Sequence, residues 1–332
     1  MDTFRIGLLG SQVGGELVKR VTVLMGVYNP PAGMLTEAVE SLLRQTLADF
    51  ELLIVDDGSS EESRELLQQH GARDTRIRIL WEPHRGLTGS LNRGLAAADS
   101  EYIARHDGDD WSIAERLSLQ VRFLDARPEL AVCGSNAWIH QENGRRLWRT
   151  HLPENERDVL AAFPHGNPMI HGSTMFRRAA ALEAGGYCET FRCSQDYDFF
   201  WRLAEAGGAA NLNEPLYHYR YVGGSISARK ATEQLRAHRA IRKLAAARDK
   251  AQVLDPAMAL QMADSELASD SGLYRARLKQ ADHQMLAGQY AEAAAAYGVL
   301  LREHPWNPLA WAKLARLGVF CGIPALREAC FR

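Results

Sequence analysis

Three acidic clusters are the places where this chain could do chemistry: Asp56/Asp57, Asp107/Asp109/Asp110 and Asp196/Asp198. Of these, Asp107-Gly108-Asp109 has the most informative spacing. In extended backbone, residues i and i+2 project to the same side, so both carboxylates can approach one point. Gly108 between them lets a ligand come close to the main chain. Two hard oxygen donors suit Mg²⁺ or Mn²⁺, which would complete an octahedron with the oxygens of a diphosphate. A calcium loop is the rival metal reading, but Trp111, Ser112 and Ile113 do not continue an EF-hand pattern. Asp is also common in turns for conformational reasons alone, so each cluster has a reading without chemistry. The ordered recurrence of the three is what points to a site. No Ser/His/Asp or Cys/His arrangement supplies a covalent nucleophile.

Other polar residues have two readings each. His171 precedes Gly172-Ser173-Thr174 and is either a substrate contact or a hydrogen-bonded buried histidine. Arg220 and Arg229 flank Gly223-Gly224-Ser225, a loop that either closes over a diphosphate or is simply solvated. Trp111, Trp138 and Trp201 could line a sugar site, though large aromatics at element ends are mostly core. Gly7, Gly10, Gly14 and Gly15 do not spell a dinucleotide fingerprint.

The elements that must position these residues alternate. Residues 21–28 (VTVLMGVY) form a continuous apolar run ended by Asn29-Pro30-Pro31, as expected of a strand covered on both faces. Leu35, Ala38, Val39, Leu42 and Leu43 follow the spacing of an amphipathic helix. Strands are expected at 50–55, 77–80 and 102–106, with helices at 62–69 and 87–98 between them. The first ~110 residues therefore predict a mostly parallel sheet flanked by helices. The acidic clusters stand where its strands end, the edge at which open α/β sheets bind ligands. Beyond it, a helix is expected at 113–125, a strand at 130–139, and a hairpin around Asn143-Gly144. A helix capped by Asn155, a strand at 169–176 and a helix at 197–206 follow. From about Thr232 the composition turns Ala-, Arg-, Leu- and Gln-rich and reads as helical. Gly288-Gln289-Tyr290, Ala293, Tyr297 and Pro305 match tetratricopeptide spacing, and Asn307-Pro308-Leu309-Ala310-Trp311 resembles a second opening. So few repeats cannot stand alone, and an antiparallel helical pair packed on the preceding domain is the alternative.

The blocks VTVLMGVYN, SLLRQTLADFELLIVDDGSS, LNRGLAAADSEYIARHDGDDW, GSTMFRR with AGGY, SQDYDFFWRL and PLYHYRYVGGSIS occur here in one order. That series resembles the family 2 glycosyltransferases, nucleotide-sugar enzymes of the GT-A fold, over about residues 21–227. Together with the composition shift near Thr232, this divides the chain into an extension at 1–20, a GT-A domain at 21–230 and a helical region at 231–332 with the tetratricopeptide-like hairpin. The resemblance places Asp57 at the nucleotide base, with Tyr28 and Asp107 also at the nucleotide. Asp107 and Asp109 become the carboxylate pair for metal and diphosphate, with His218 as a further metal or phosphate contact. Asp196 becomes the general base on the acceptor hydroxyl, and His171 and Arg220 possible substrate contacts. Gln195 stands where the family often has Glu, and His106 where an apolar residue is more usual. The implied activity is inverting, Mn²⁺- or Mg²⁺-dependent transfer of a hexosyl or N-acetylhexosaminyl group. The expected donor is a UDP-sugar, and the expected acceptor a surface glycan or lipid-linked saccharide.

Composition narrows the field from the other side. The chain has 332 residues, 46% hydrophobic and 24% charged, which argues against wholesale disorder. A formal net charge of -2 gives no basic surplus for nucleic acid. No apolar run approaches the ~20 residues of a membrane span, and the first twenty residues do not read as a cleaved signal. Five cysteines without a C-x-x-C pair suggest reduced thiols and a cytoplasmic enzyme, with peripheral attachment to the inner membrane face left open. A sugar-phosphate nucleotidyltransferase is one rival, but residues 26–29 are not its Gly-rich phosphate loop. A scaffold acting through the C-terminal helices, by partner binding or self-association, is the other, and it would tolerate loss of Asp196. The tail matches none of the chemical blocks, so the chemical step is expected not to need it.

Overall fold

The computed structural model describes residues 12–13, 16–17, 19–222, 230–267 and 270–321. The Gly223-Gly224-Ser225 loop and Arg229 lie outside the described residues, as does most of the 1–20 extension.

The central strand is β1 (Val21–Val27), whose side chains are almost all buried. Its continuous apolar run has a simple cause. Leu24 packs on one side with Leu53, Val55, Leu91 and Leu95, while Val23 and Met25 pack on the other with Leu35, Val39 and Leu42. Both faces are covered, so alternation with polar residues is absent. Parallel partners flank it: β2 (Phe50–Asp57) on one side and β4 (Tyr102–Arg105) on the other, with β3 (Ile77–Glu82) outside β2. Between them run α1 (Ala32–Leu43), α2 (Glu61–Arg73) and α3 (Leu87–Ala97). This first part agrees with the parallel sheet expected from sequence.

The second part is mixed. After β5 (Trp111–Ser112) and α4 (Arg116–Asp125) come β6 (Val132–Gln141) and β7 (Arg146–Arg149), then α5 (Glu156–Ala162). Next are β8 (Met175–Arg177), α6 (Arg178–Glu183), α7 (Gln195–Gly207) and β9 (Ala209–Tyr221). Apart from a small antiparallel pair, Gln12–Val13 with Glu16–Leu17, the described strands form one nine-stranded sheet in the order β3-β2-β1-β4-β8-β6-β9-β5, with β7 paired to β6. Strand β8 is antiparallel to both β4 and β6, and joins the two halves.

Two expectations change. The helix expected at 113–125 starts only at Arg116, because Trp111 and Ser112 pair with His218 and Tyr217 as a short strand. The strand expected at 169–176 shrinks to β8, because His171–Ser173 winds into a 3₁₀ turn. A Cβ on Gly172 would lie 2.1 Å from Tyr217 Oη and 2.8 Å from Asp107 Oδ2, so the turn is pressed against the acidic loop.

The C-terminal helices divide by what they bury. Helices α8 (Ala231–Asp249) and α9 (Pro256–Leu267) place Ala237, Ala240, Ile241, Leu244, Ala259 and Ala263 in the same apolar cluster as Phe199 and Phe200 of α7. Helices α10 (Asp270–Ala287), α11 (Tyr290–Glu303) and α12 (Pro308–Cys321) have a cluster of their own around Ala281, Met285, Tyr297, Leu300 and Leu314. That cluster is still tied back: Gln141 Nε2 donates to Tyr290 Oη at 2.7 Å, and His283 lies edge-on to Tyr221 at 4.8 Å. Among the described residues no helix is long and apolar enough to cross a membrane.

Candidate active site

The ends of β1, β2 and β4 open onto a cleft of about 1570 Å³. Tyr28, Asp57, Asp107, Asp109, His171, Asp196 and Arg220 all line it. His218 is not among its lining residues. Instead its Nδ1 lies 3.0 Å from His140 Nε2, and its ring stacks on Trp111 at 4.9 Å. Burial, with His140 and Arg146 adding like charge, pushes His218 down to about 4. His218 thus packs among His140 and Trp111 rather than lining the cleft. Trp111 belongs to that support, and the Arg220 guanidinium lies over its ring, 4.6 Å from the centroid.

Strand β2 ends in Asp56 and Asp57, which point to different tasks. Asp56 accepts from Ser59 N and from Arg64 Nε at 3.0 Å, which fixes the turn after the strand. Asp57 accepts from two main-chain amides, Arg85 N at 2.7 Å and Gly86 N at 2.9 Å, and His84 Nδ1 lies 2.9 Å from its Oδ2. Asp57 therefore holds the 84–86 loop at the cleft mouth. The Tyr28 ring, about half exposed, stands 4.2 Å from that of His84, so the two rings form a pair at the same place. Asn29 sits at φ 47 and bridges to the β2 loop, its Oδ1 accepting from Ser60 N at 2.7 Å.

The acidic loop after β4 is held from below. Arg105 is fully buried and donates through Nη2 to Asp107 Oδ1 at 2.5 Å, while its Nε and Nη1 have no hydrogen-bond partner. His106, unexplained from sequence, is buried and bridges Asp107 O at 2.7 Å to Ser112 Oγ at 3.1 Å. Burial lowers its pKa far below the usual histidine range, with Arg116 adding to the effect, so it serves as a neutral strut. Asp107 N donates to Tyr217 Oη, and Asp110 Oδ1 accepts from Arg220 N at 2.6 Å. Arg220 also donates to Asp109 O at 2.8 Å and pairs with Glu37. Lost solvation and the charge of Asp107 raise Asp109 to about 6. The charges of Arg105 and Arg220 offset only part of this, and no ion pair is made to the Asp109 side chain among the described residues.

Asp196 stands in the first turn of α7, behind Ser194, whose left-handed φ of 58 bends the chain into the helix. Asn167 Nδ2 donates to Asp196 Oδ2 at 2.8 Å. Burial raises the Asp196 pKa above the ordinary carboxylate range, and the helix amides and Asn167 offset part of that. Asp198 turns the other way and is bound by Arg202 at 2.7 and 2.9 Å. Its charge is spent on packing α7. His171 meets Tyr187 Oη through Nε2 at 3.1 Å, and burial lowers it well below the histidine range, so it enters the cleft wall neutral. Among the described residues no three His, Cys, Asp or Glu side chains cluster as a metal cage.

Sequence reasoning missed Arg105, Asn167, the 84–86 loop and Lys279, all of which build or line this cleft. None belongs to a recognisable short motif, and each arrives from a different element.

Comparison with known proteins gives the same direction. A model of the family described as Glycosyl transferase family 2 matches residues 22–185. The putative glycosyltransferase EpsE of Bacillus subtilis is 34% identical over 64% of this chain and 77% of its own length. The amylovoran biosynthesis glycosyltransferase AmsE of Erwinia amylovora is 30% identical, over 63% and 79%. Among solved structures, S. aureus TarS 1-349 in complex with UDP-GlcNAc aligns over 94% of this chain and 90% of its own, with a TM-score of 0.56 and 16% identity. The mannosyltransferase PcManGT of Pyrobaculum calidifontis, in complex with GDP-Man and Mn²⁺, aligns over 94% and 83% with a TM-score of 0.54 and 18% identity. Those two establish the fold as GT-A-like, while the curated relatives establish kinship in sequence. On that kinship, the chain belongs to glycosyl transferase family 2 and is a glycosyltransferase.

Proposed function

We propose that the protein transfers a sugar from a UDP-sugar to a hydroxyl of a saccharide or lipid-linked acceptor, with inversion, in glycan synthesis. The observation that carries this reading is the single cleft shared by Asp57, the Asp107/Asp109 pair and Asp196. Its volume of about 1570 Å³ exceeds the ~300–1,000 Å³ of ordinary small-ligand sites, so donor and acceptor fit together. Relatives named for amylovoran biosynthesis and hyaluronan synthesis support a polysaccharide setting. A UDP-GlcNAc complex of a structural neighbour supports the uridine donor.

In this reading the domain of residues 21–230 carries the reaction. Tyr28 and His84 offer ring faces to the base, and Asp57 offers the carboxylate that accepts from the base N–H. Asp107 and Asp109 fit a divalent ion, Mn²⁺ or Mg²⁺, because they are hard oxygen donors and the pull of Arg105 and Arg220 only partly offsets the burial and like charge at Asp109. When bound, such an ion offsets the negative charge that gathers on the leaving diphosphate. Asp196 takes the proton from the acceptor hydroxyl, and its raised pKa brings it closer to the pH at which it works. Asn167 keeps that carboxylate aimed. Arg220 holds the acidic loop, and His171 shapes the wall.

A thermal-shift series with nucleoside diphosphates tests the reading, since a ligand that binds the folded state raises its apparent stability. UDP with Mn²⁺ is expected to raise Tm, and excess chelator to abolish the rise. No shift with any nucleoside diphosphate would overturn the donor site, and a full shift in chelator would overturn the metal.

A further inference from the structure

The far end of the cleft, around Asp196, is not built by the sheet. Helix α8 lines it with Gln234 and His238, and α10 with Lys279. Lys279 Nζ donates to Gln234 Oε1 at 2.9 Å, so its ammonium is held in place on the cleft wall. No carboxylate among the described residues lies within ion-pair distance of it. Lys230 and Arg192, the latter next in sequence to Cys193, also line the cleft. The charges of Lys230, Lys279, Glu233 and Asp196 all converge on Cys193, so they share one small region. Glu233 is engaged by Lys230 at 3.4 Å. Two lysines therefore stand close to Asp196, and only one of them, Lys230, has an ion-paired carboxylate of its own.

A cation crowded by protein without an ion-paired carboxylate loses solvation that one amide oxygen and a more distant carboxylate return only in part. Lys279 shows this, since lost solvation lowers its pKa against the opposing pull of Asp196. A bound anion would return it through a charge-assisted hydrogen bond. We propose that this end of the cleft is an anion subsite, in which Lys279, with Lys230 and Arg192, receives a phosphate or carboxylate carried by the acceptor. The proposal rests on the glycosyl-transfer reading and names the acceptor's chemistry. It also makes a helix of the C-terminal segment part of the substrate site.

The test uses the full chain with UDP and Mn²⁺ in excess, titrated calorimetrically with sn-glycerol 3-phosphate, D-glucuronate, glycerol and D-glucose. At least one of the two anions is expected to bind saturably, about tenfold more weakly in Lys279→Ala, with affinity recovered in Lys279→Arg. The neutral probes are expected to show no dependence on residue 279. Whichever anion binds tells phosphate from carboxylate. Equal anion affinity in wild type and Lys279→Ala, or binding of neither anion, overturns the subsite. A separate UDP–Mn²⁺ titration of both proteins keeps the two readings apart. Its failure in the wild type would fault the donor site, whereas intact UDP binding with anion binding indifferent to Lys279 faults the subsite alone.

Discussion

Asp196 and Asp198 are two residues apart on one helix, yet their surroundings give them opposite uses. Asp198 is neutralised by Arg202, while Asp196 faces the cleft with no ion pair, its charge favoured by Asn167, helix amides and the more distant Lys279. Asp196→Asn keeps the shape and removes the proton acceptor, so the transfer rate is expected to fall about 10²- to 10⁴-fold. UDP binding should be unchanged. Stability has its own sign: a carboxylate whose folded pKa is raised opposes folding once the pH exceeds its unfolded pKa, and protonation relieves this as pH falls. The neutral amide should therefore leave Tm equal or higher at neutral pH. Wild-type turnover by the variant, measured as UDP release with acceptor present, would remove Asp196 from the chemistry. Such a distinction is half legible in sequence. The i, i+2 spacing marks both carboxylates, but which one meets an arginine depends on α7 packing against the turn at Ala184–Gly186, where Arg202 also donates. Arg105 was illegible for a related reason: an arginine inside an apolar strand is interpretable only once Asp107 is seen above it.

Strands and their terminal loops were the most readable elements, because burial on both faces of β1 and β2 leaves uninterrupted apolar runs. The misread segments, 113–125 and 169–176, lie where a tertiary contact outweighs local pattern. Trp111–Ser112 is drawn into the sheet by β9, a strand whose polar and aromatic residues gave no clear period. The loop at 84–86 shows the same dependence, since its place is set by Asp57 from another element. Asp57→Asn can replace only one of the two oxygen acceptors and turns an N–H toward a donor. The expected cost is about 1–3 kcal/mol in urea unfolding, together with weaker UDP binding as the loop leaves Tyr28. Uridine nucleotides should lose more than others if the carboxylate also meets the base. Unchanged stability would show that the two amides do not depend on it.

At the scale of the whole molecule, the relation between the sheet and the last three helices decides what the tail is for. Sequence pattern placed it apart from the chemistry, since it carries none of the acidic blocks. Its separate apolar cluster agrees, but Lys279 reaches the cleft and Tyr290 is bonded to Gln141 of β6. Helices α8 and α9, by contrast, share the core of the sheet and cannot be removed without opening it. A chain ending at Leu267 is therefore the informative truncation. It keeps the Asp57, Asp107/Asp109 and Asp196 residues and the helices that bury Phe199 and Phe200. It loses Lys279 and uncovers the surface around Tyr221, where His283 now packs. UDP–Mn²⁺ affinity should match the full chain, because no donor-side residue named above lies beyond β9. Transfer to a saccharide acceptor should fall while slow hydrolysis of the UDP-sugar persists, since water needs no anion subsite. The Trp306 and Trp311 side chains, exposed at 93% and 53%, leave with the helices, so the truncated chain should also change in self-association if those rings join copies. Sedimentation, UDP titration and acceptor-dependent turnover on the same preparation separate these outcomes. A folded truncation that still glycosylates its acceptor at the full rate would return the tail to a purely structural or assembly role.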